Sequence, residues 1–133
     1  MEVVIMVGLP ASGKKEYAKK HYPKYTLISL SQIPNYDRQK EYKLIIENLE
    51  KNNSIVIADI NASEETRAKH ISIAKKYNAK IICVHLDYPI PFVLHRNKMR
   101  RNTIPESAIY KWNSELNAPS YYEGFDEIIR VRL

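Results

Sequence analysis

Apolar runs alternate with amphipathic segments along the whole chain of 133 residues. The first run, EVVIMV at residues 2–7, is apolar at nearly every position, which is typical of a strand buried on both faces of a parallel sheet. The runs predict strands over five segments: residues 2–7, 25–30, 54–60, 80–86 and 127–133.

The segments between these runs are long enough for helices. One of them has apolar residues at positions i, i+3, i+4 and i+7, which share one helix face: Tyr42, Ile45, Ile46 and Leu49. Ser63 followed by two acidic residues predicts another helix start, because a hydroxyl caps free N–H groups and acidic side chains favour the positive helix end. Further helices are predicted over residues 13–21, 92–102 and 105–116.

Strands that alternate with helices require right-handed crossovers, which produce a parallel sheet covered on both faces. The pattern therefore predicts one three-layer α/β domain over residues 1–133, with a predominantly parallel sheet of about five strands. Cys83 is the single cysteine and cannot form an internal disulfide, which favours a reducing, cytoplasmic setting.

Composition adds a few limits. Lys and Arg number 21 against 15 Asp and Glu, so the net charge of +6 is compatible with a polyanionic partner without requiring one. No apolar stretch approaches the roughly 18 residues of a membrane span. The four histidines lack metal-ligand spacing, and with one cysteine no zinc site is expected.

The first predicted strand runs directly into the sequence GLPASGK, residues 8–14, and a predicted helix follows it. This context fits the GxxxxGK phosphate loop, in which backbone N–H groups and a helix N-terminus surround phosphate oxygens and the lysine reaches the outer phosphates. An ordinary strand-to-helix turn is the alternative. The motif predicts that ATP or another nucleoside triphosphate is bound by Gly8, Ala11, Ser12, Gly13 and Lys14.

Lys15 departs from this motif, which usually has a magnesium-binding hydroxyl at that position. An ammonium group has no lone pair to offer, and about 4 Å from a divalent ion it would be repelled by roughly 8 kcal/mol. We therefore expect Lys15 to point elsewhere or to replace part of the metal's charge at the nucleotide. Magnesium binding would then be weakened or lost.

Two further groups of polar residues are candidates for the site. Asp59 and Asn61 follow the third predicted strand, at the sheet edge where open α/β sheets bind ligands, although Asp59 could instead cap the next helix. Arg96 and Arg100 are spaced i, i+4, which would place them on one helix face about 6 Å apart along the axis. They could clamp a phosphoryl group over the loop, or belong to a solvated basic face.

Five segments in order resemble the kinase domain of the 5′-hydroxyl polynucleotide kinases of bacteriophages and animals, within the P-loop kinases: GLPASGK, IADINAS, HLDYPIPFVLHRNKMRR, NTIPESAI and PSYYEGFDEIIRVRL. The resemblance implies transfer of the γ-phosphoryl group of ATP to the 5′-hydroxyl of DNA or RNA. It also implies that Lys14 binds the β- and γ-phosphates and that Arg96 and Arg100 are lid arginines on the donor. A repair or RNA-processing partner protein could supply the phosphatase or ligase part, which this chain lacks.

Besides Lys15, a second position departs from the family pattern. The family has an aspartate, the general base, just after its second strand, where this chain has Ser31. The segment is longer here, and Asp37 and Arg38 follow. A shifted loop could let Asp37 act as base and Arg38 hold the acceptor phosphate, with Ser31 and Asn61 also at the substrate; otherwise Asp37 is a helix N-cap.

Three hypotheses follow. The chain is a minimal polynucleotide kinase in which Asp37 or Asp59 acts as the base, a degenerate kinase fold that binds nucleotide, nucleic acid or a partner, or a small-molecule P-loop kinase. The departures at Lys15 and Ser31 favour the degenerate fold, whereas Lys14 and the lid arginines favour an active enzyme.

Overall fold

A computed structural model describes residues 1–133. Five strands form one sheet in the order β2-β3-β1-β4-β5, and every neighbouring pair is parallel. The strands are β1 Glu2–Val7, β2 Thr26–Ile28, β3 Ile55–Ile57, β4 Lys80–Leu86 and β5 Glu127–Val131. The predicted α/β fold with a parallel sheet of about five strands is confirmed.

Five α-helices connect and follow these strands: α1 Lys14–His21, α2 Arg38–Glu50, α3 Glu64–Lys76, α4 Ile90–Lys98 and α5 Glu106–Glu115. Three short 3-10 turns lie outside them, at Leu30–Gln32, Pro34–Tyr36 and Tyr121–Glu123. No helix has both the length and the apolar character needed to cross a bilayer.

The sheet is packed on both faces because successive residues of its buried strands point in opposite directions. On one face, Val3 and Ile5 of β1 pack in a cluster with Ile45 of α2 and Ile71 of α3. On the other face, alternate β1 residues form a second cluster with Ala18 of α1. A third cluster joins the first loop to α4 and α5 through Leu9, Ala11, Val93 and Ile109. The helices therefore form layers on both sides of the sheet.

The predicted end of α4 is wrong. The helix ends at Lys98 rather than at residue 102, so Arg96 is helical and Arg100 lies in the turn that follows. Buried Asn97 causes this, because its side-chain amide donates to the Ile104 carbonyl (2.7 Å) and accepts from the Ile104 N–H (2.9 Å). These two bonds return the chain toward the helix instead of extending it.

Arg67 of α3 ties the loop after β3 to the C-terminal segment. Its guanidinium makes a two-pronged pair with Glu123 (2.7 and 3.0 Å) and donates to the carbonyl oxygens of Asn61, Ala62 and Asn117. The Arg67 and Glu123 side chains are only 1% and 3% exposed. The conformation of the loop after β3 therefore depends on a buried ion pair between two residues that are 56 positions apart in the sequence.

Substituting Arg67→Met should lower the free energy of unfolding by about 3–5 kcal/mol, because it leaves the Glu123 carboxylate buried without its partner. The measurement is urea unfolding followed by circular dichroism. Arg130→Met is the matched control: its pair with Asp87 is half-exposed, so the loss should stay within about 1 kcal/mol. Equal losses in the two variants would contradict this role for Arg67.

Candidate functional site

The carboxyl ends of β1, β2 and β3 open into one cavity of about 1130 Å³. The loop after β1, the β2–α2 connection, the loop after β3 and the segment around the end of α4 all contribute to its walls. This is the edge at which open α/β sheets bind their ligands. Most of the predicted site residues line this cavity: Ala11, Gly13, Lys14, Lys15, Ser31, Arg38, Asp59, Asn61, Arg96 and Arg100.

The phosphate loop, residues 8–14, is shaped by its backbone. Ala11 and Gly13 have positive φ angles of 66° and 94°, and α1 begins at Lys14, directly behind the loop. Buried Ser12 donates to the Leu9 carbonyl (2.7 Å), which fixes the turn, and a Cβ on Gly8 would lie 2.9 Å from the Ser12 hydroxyl. The loop thus has the tight curvature and the helix N-terminus that suit an anion.

Lys14 lies inside this loop. Its ammonium donates to the carbonyl oxygens of Gly8 (3.0 Å) and Leu9 (2.8 Å). Burial lowers the pKa of Lys14 to about 7; Asp59 opposes this shift, whereas Arg100 and Lys15 add to it. Burial takes away the water that stabilises the ammonium, and the negative charge of a bound phosphate would stabilise it instead and raise the pKa again.

Arg96 lies across the loop from α4. Its Nε donates to the Ala11 carbonyl at 3.4 Å, and a Cβ on Gly13 would lie 2.6 Å from a guanidinium nitrogen of Arg96. Arg100 lines the same cavity from the turn after α4. The two arginines therefore face one cavity, although they do not share one helix face as the i, i+4 spacing predicted.

Lys15 and Ser31, the two positions that depart from the family pattern, contact each other. The Lys15 ammonium donates to the Ser31 hydroxyl at 3.0 Å. That hydroxyl lies 2.8 Å from the hydroxyl of buried Ser29, and either of the two serines can be the donor. Lys15 therefore points along the cavity wall toward the end of β2.

Asp59 connects three elements at the inner wall of the cavity. One carboxylate oxygen accepts from the Leu30 N–H (2.7 Å) after β2, and the other accepts from Arg38 (3.2 Å) at the start of α2. The same Arg38 nitrogen donates to Glu41 at 2.7 Å. Asp59 does not cap α3, because Ser63 accepts from Thr66 N–H there, so the alternative role considered for Asp59 is wrong.

Asp59 belongs to a buried cluster with Glu41 and His70, two residues that the sequence did not single out as functional. The His70 Nε2 atom lies 3.9 Å from a carboxylate oxygen of each acid. Burial raises the pKa of Glu41, with neighbouring Asp59 adding to the effect, and burial lowers the pKa of His70 to about 4. His70 is therefore neutral near pH 7. The raised pKa of Glu41 favours a single negative charge shared by Glu41 and Asp59, and Arg38 balances that charge.

A divalent ion does not suit this cluster. The three groups offer ligand atoms within 4.8 Å of one another, but Arg38 already lies 2.7 Å from Glu41 and 3.2 Å from Asp59. Its guanidinium therefore already supplies a positive charge to both carboxylates. One feature of the sequence could have identified Glu41: it lies four residues before Ile45, on the apolar face of α2. An acid on a buried helix face needs a partner.

Asp37 lies outside the cavity wall and caps α2. Its carboxylate accepts from the N–H groups of Gln39 (3.0 Å) and Lys40 (3.3 Å). The alternative considered for Asp37, a helix N-cap, is the one found, because free N–H groups at the helix start hold the carboxylate. The structure does not bring Asp37 together with the phosphate loop as a general base.

Asn61 lines the cavity from the loop after β3 with a positive φ of 49°. Its amide donates to the Met6 carbonyl of β1 (2.7 Å), while its side-chain oxygen is buried without a partner. Tyr36, which the sequence analysis missed, stands at the rim with 69% of its surface exposed. Asn35 and Tyr36 have positive φ angles of 59° and 49°, which turn the chain sharply before Arg38.

A parallel sheet whose first loop holds a half-buried lysine at a helix N-terminus defines a P-loop fold. Residues 3–119 match the protein family described as AAA domain. The chain therefore belongs to this family.

The chain is 30% identical over 135 residues to the bifunctional polynucleotide phosphatase/kinase of Schizosaccharomyces pombe, covering 98% of this chain and 33% of that protein. The predicted resemblance to polynucleotide kinases is confirmed, and the chain spans about one third of this relative's length. A fungal RNA kinase has the same fold with a TM-score of 0.71 at 17% identity, covering 99% of this chain and 75% of that one. A gluconokinase from Sinorhizobium meliloti has a TM-score of 0.72 at 17% identity, covering 98% and 82%.

The lowered pKa of Lys14 predicts that ATP binding takes up a proton. At pH 8 a lysine with a pKa of about 7 is mostly neutral, and the phosphates shift it back toward its ordinary value, so we expect uptake of roughly 0.9 proton. Above pH 7 the affinity should fall by up to about tenfold per pH unit. Isothermal titration calorimetry of ATP in buffers of different ionisation enthalpy measures the uptake. Proton uptake that persists in Lys14→Met would show that Lys14 is not the group that takes up the proton.

Proposed function

We propose that this chain is a polynucleotide kinase domain that transfers the γ-phosphoryl group of ATP to the 5′-hydroxyl of a DNA or RNA end. One observation carries the proposal: a single cavity is lined by the phosphate loop, by Arg96 and Arg100, and by an Arg38 that pairs with a carboxylate. Two separate positions for anions in one cavity suit a triphosphate donor and a phosphodiester acceptor.

The donor half is formed by the loop and the arginines. The N–H groups at the start of α1 and the Lys14 ammonium would bind the β- and γ-phosphates, and Arg96 would approach the γ-phosphate from above the loop. Arg100 would add charge from the turn after α4. Such fixed cations stabilise the charge of the transferring phosphoryl group without reorganising during the reaction.

The acceptor half is formed by Arg38 and Tyr36. The Arg38 guanidinium is held from behind by Asp59 and Glu41 while its side chain stays 35% exposed. This leaves part of its planar fork free for a phosphate of the acceptor strand. The exposed Tyr36 ring, two residues away, would offer the 5′-terminal base a stacking surface.

The transferred hydroxyl proton needs an acceptor, and Asp59 lines the cavity with a carboxylate that can accept more than its two present hydrogen bonds. In the proposed step the 5′-oxygen forms a bond to the γ-phosphorus, the bond to the β-phosphate oxygen breaks, and ADP leaves. The proton passes to Asp59. Of the two acids considered as the base, Asp37 and Asp59, the proposal selects Asp59.

A nucleotide- or nucleic-acid-binding module with little transfer activity is the second candidate. The observation that favours it is the contact between Lys15 and Ser31. Lys15 stands where the family has its metal-binding hydroxyl, and Ser31 stands where the family has the aspartate that acts as general base. The two candidates differ in turnover, not in binding.

The test is transfer of labelled γ-phosphate from ATP to 5′-hydroxyl DNA and RNA oligonucleotides, with and without magnesium. We expect label on the oligonucleotide and its loss in Lys14→Ala. Arg38→Lys should raise KM for the oligonucleotide about tenfold, because an ammonium cannot bridge two carboxylates and a phosphate. Lys40→Gln, an exposed change on the same helix, is the control and should have little effect. Binding of ATP and oligonucleotide without any transfer would overturn the kinase in favour of the binding module.

Tyr36→Ala should weaken oligonucleotide acceptors about tenfold in KM, since stacking on an aromatic ring contributes about 1–3 kcal/mol per base. Tyr36→Phe keeps the ring and should behave as the unchanged protein. An acceptor with an abasic 5′-terminal nucleotide removes the stacking partner, so the Tyr36→Ala penalty should disappear with it. A penalty of the same size on the abasic acceptor would contradict base stacking.

A further inference from the structure

The two departures from the P-loop kinase pattern form one structural unit beside the phosphate loop. Lys15 follows Lys14 at the start of α1, and its ammonium is held at 3.0 Å by Ser31 after β2. Ser29 supports Ser31 at 2.8 Å, and all three side chains line the cavity. Lys15 is therefore positioned at the cavity wall rather than extended into solvent.

The side chains here do not fit a divalent ion. Magnesium prefers nearly octahedral oxygen ligands, and neither Lys15 nor Lys14 has a lone pair when charged. Asp59, the carboxylate just after β3, accepts from the Leu30 N–H and from Arg38, and the positive charge of Arg38 would repel a divalent ion placed beside it. The other carboxylates of the cavity wall, Glu16 and Glu115, are both exposed.

We propose that the Lys15 ammonium takes the place of the metal ion, so that this chain binds the phosphates of a nucleoside triphosphate without a protein-bound divalent cation. The proposal rests on nucleotide binding by the phosphate loop and is independent of the acceptor. Ser31 is the positioning residue, because its hydroxyl accepts from Lys15 and directs the ammonium along the cavity.

The charges around the loop support this arrangement. Lys14, Lys15, Arg96 and Arg100 all line the cavity. Asp59, the buried acid of the cavity wall, is already balanced by Arg38. Lys15 therefore has no carboxylate partner, only a neutral hydroxyl, and its full charge remains available to an anion.

The experiment measures the dissociation constant of the non-hydrolysable analogue adenylyl imidodiphosphate by calorimetry, once in EDTA and once in magnesium. For the unchanged protein we expect the two values to agree within about threefold. Lys15→Ser should weaken binding in EDTA by at least about tenfold. Ser31→Ala keeps the ammonium but removes its partner, and we expect an intermediate loss. Lys19→Ser, an exposed change on the same helix, is the control and should have no effect.

A second variant tests directly whether the Lys15 ammonium takes the place of a metal ion. Lys15→Ser combined with Ser31→Asp restores a hydroxyl and a carboxylate at these positions, and its binding should become strongly dependent on magnesium. The proposal is overturned if the unchanged protein needs magnesium for binding, or if Lys15→Ser binds equally well in EDTA while circular dichroism shows the native fold. Metal-independent binding without transfer to oligonucleotides would contradict the proposed kinase and leave this inference standing.

Discussion

The buried carboxylate of Asp59 is the constraint on which the site depends. It joins the end of β3 to the Leu30 N–H after β2 and to Arg38 at the start of α2. A charge inside a protein is tolerated only with partners, so Asp59 and Glu41 hold the Arg38 guanidinium in place and His70 stays neutral. One pairing therefore shapes the inner wall of the cavity and orients the Arg38 guanidinium.

In the phosphate loop, the backbone determines the shape of the site, whereas the side chains determine which charges it presents. The positive φ angles at Ala11 and Gly13, and the closeness of Gly8 to Ser12, depend on the chain path and are present here as the motif requires. Changing the side chain at Lys15 leaves that path intact, because Lys15 lies one residue into α1. The proposed exchange of a metal for an ammonium thus requires no new fold.

The support for this site extends far along the chain. Buried Arg67 donates to the carbonyl oxygens of Asn61 and Ala62, in the loop after β3, and pairs with Glu123 in the last turn before β5. The C-terminal segment consequently contributes to the position of Asn61, whose amide in turn holds β1 through Met6. One ion pair thus links the loop after β3, which lines the cavity, to the C-terminal segment.

Local patterns were sufficient for much of the fold. The bounds of β1 and β4 are those that the apolar runs predicted, because strands in the middle of a sheet are apolar along their full length. The phosphate loop was also predictable, since its conformation depends on glycines and a helix start within one short segment. The runs predicted for β2 and β3 were too long, because their last residues leave the sheet to form the cavity wall.

The amino-acid sequence alone determined the fold class, the loop and the candidate lysine, because hydrophobic periodicity and turn chemistry are properties of neighbouring residues. Only the tertiary structure decided that Lys15 meets Ser31, that Glu41 and His70 join Asp59, and that Arg100 lies beyond the end of α4. These contacts join residues on different elements, so they depend on the strand order and on helix packing, which no local pattern encodes.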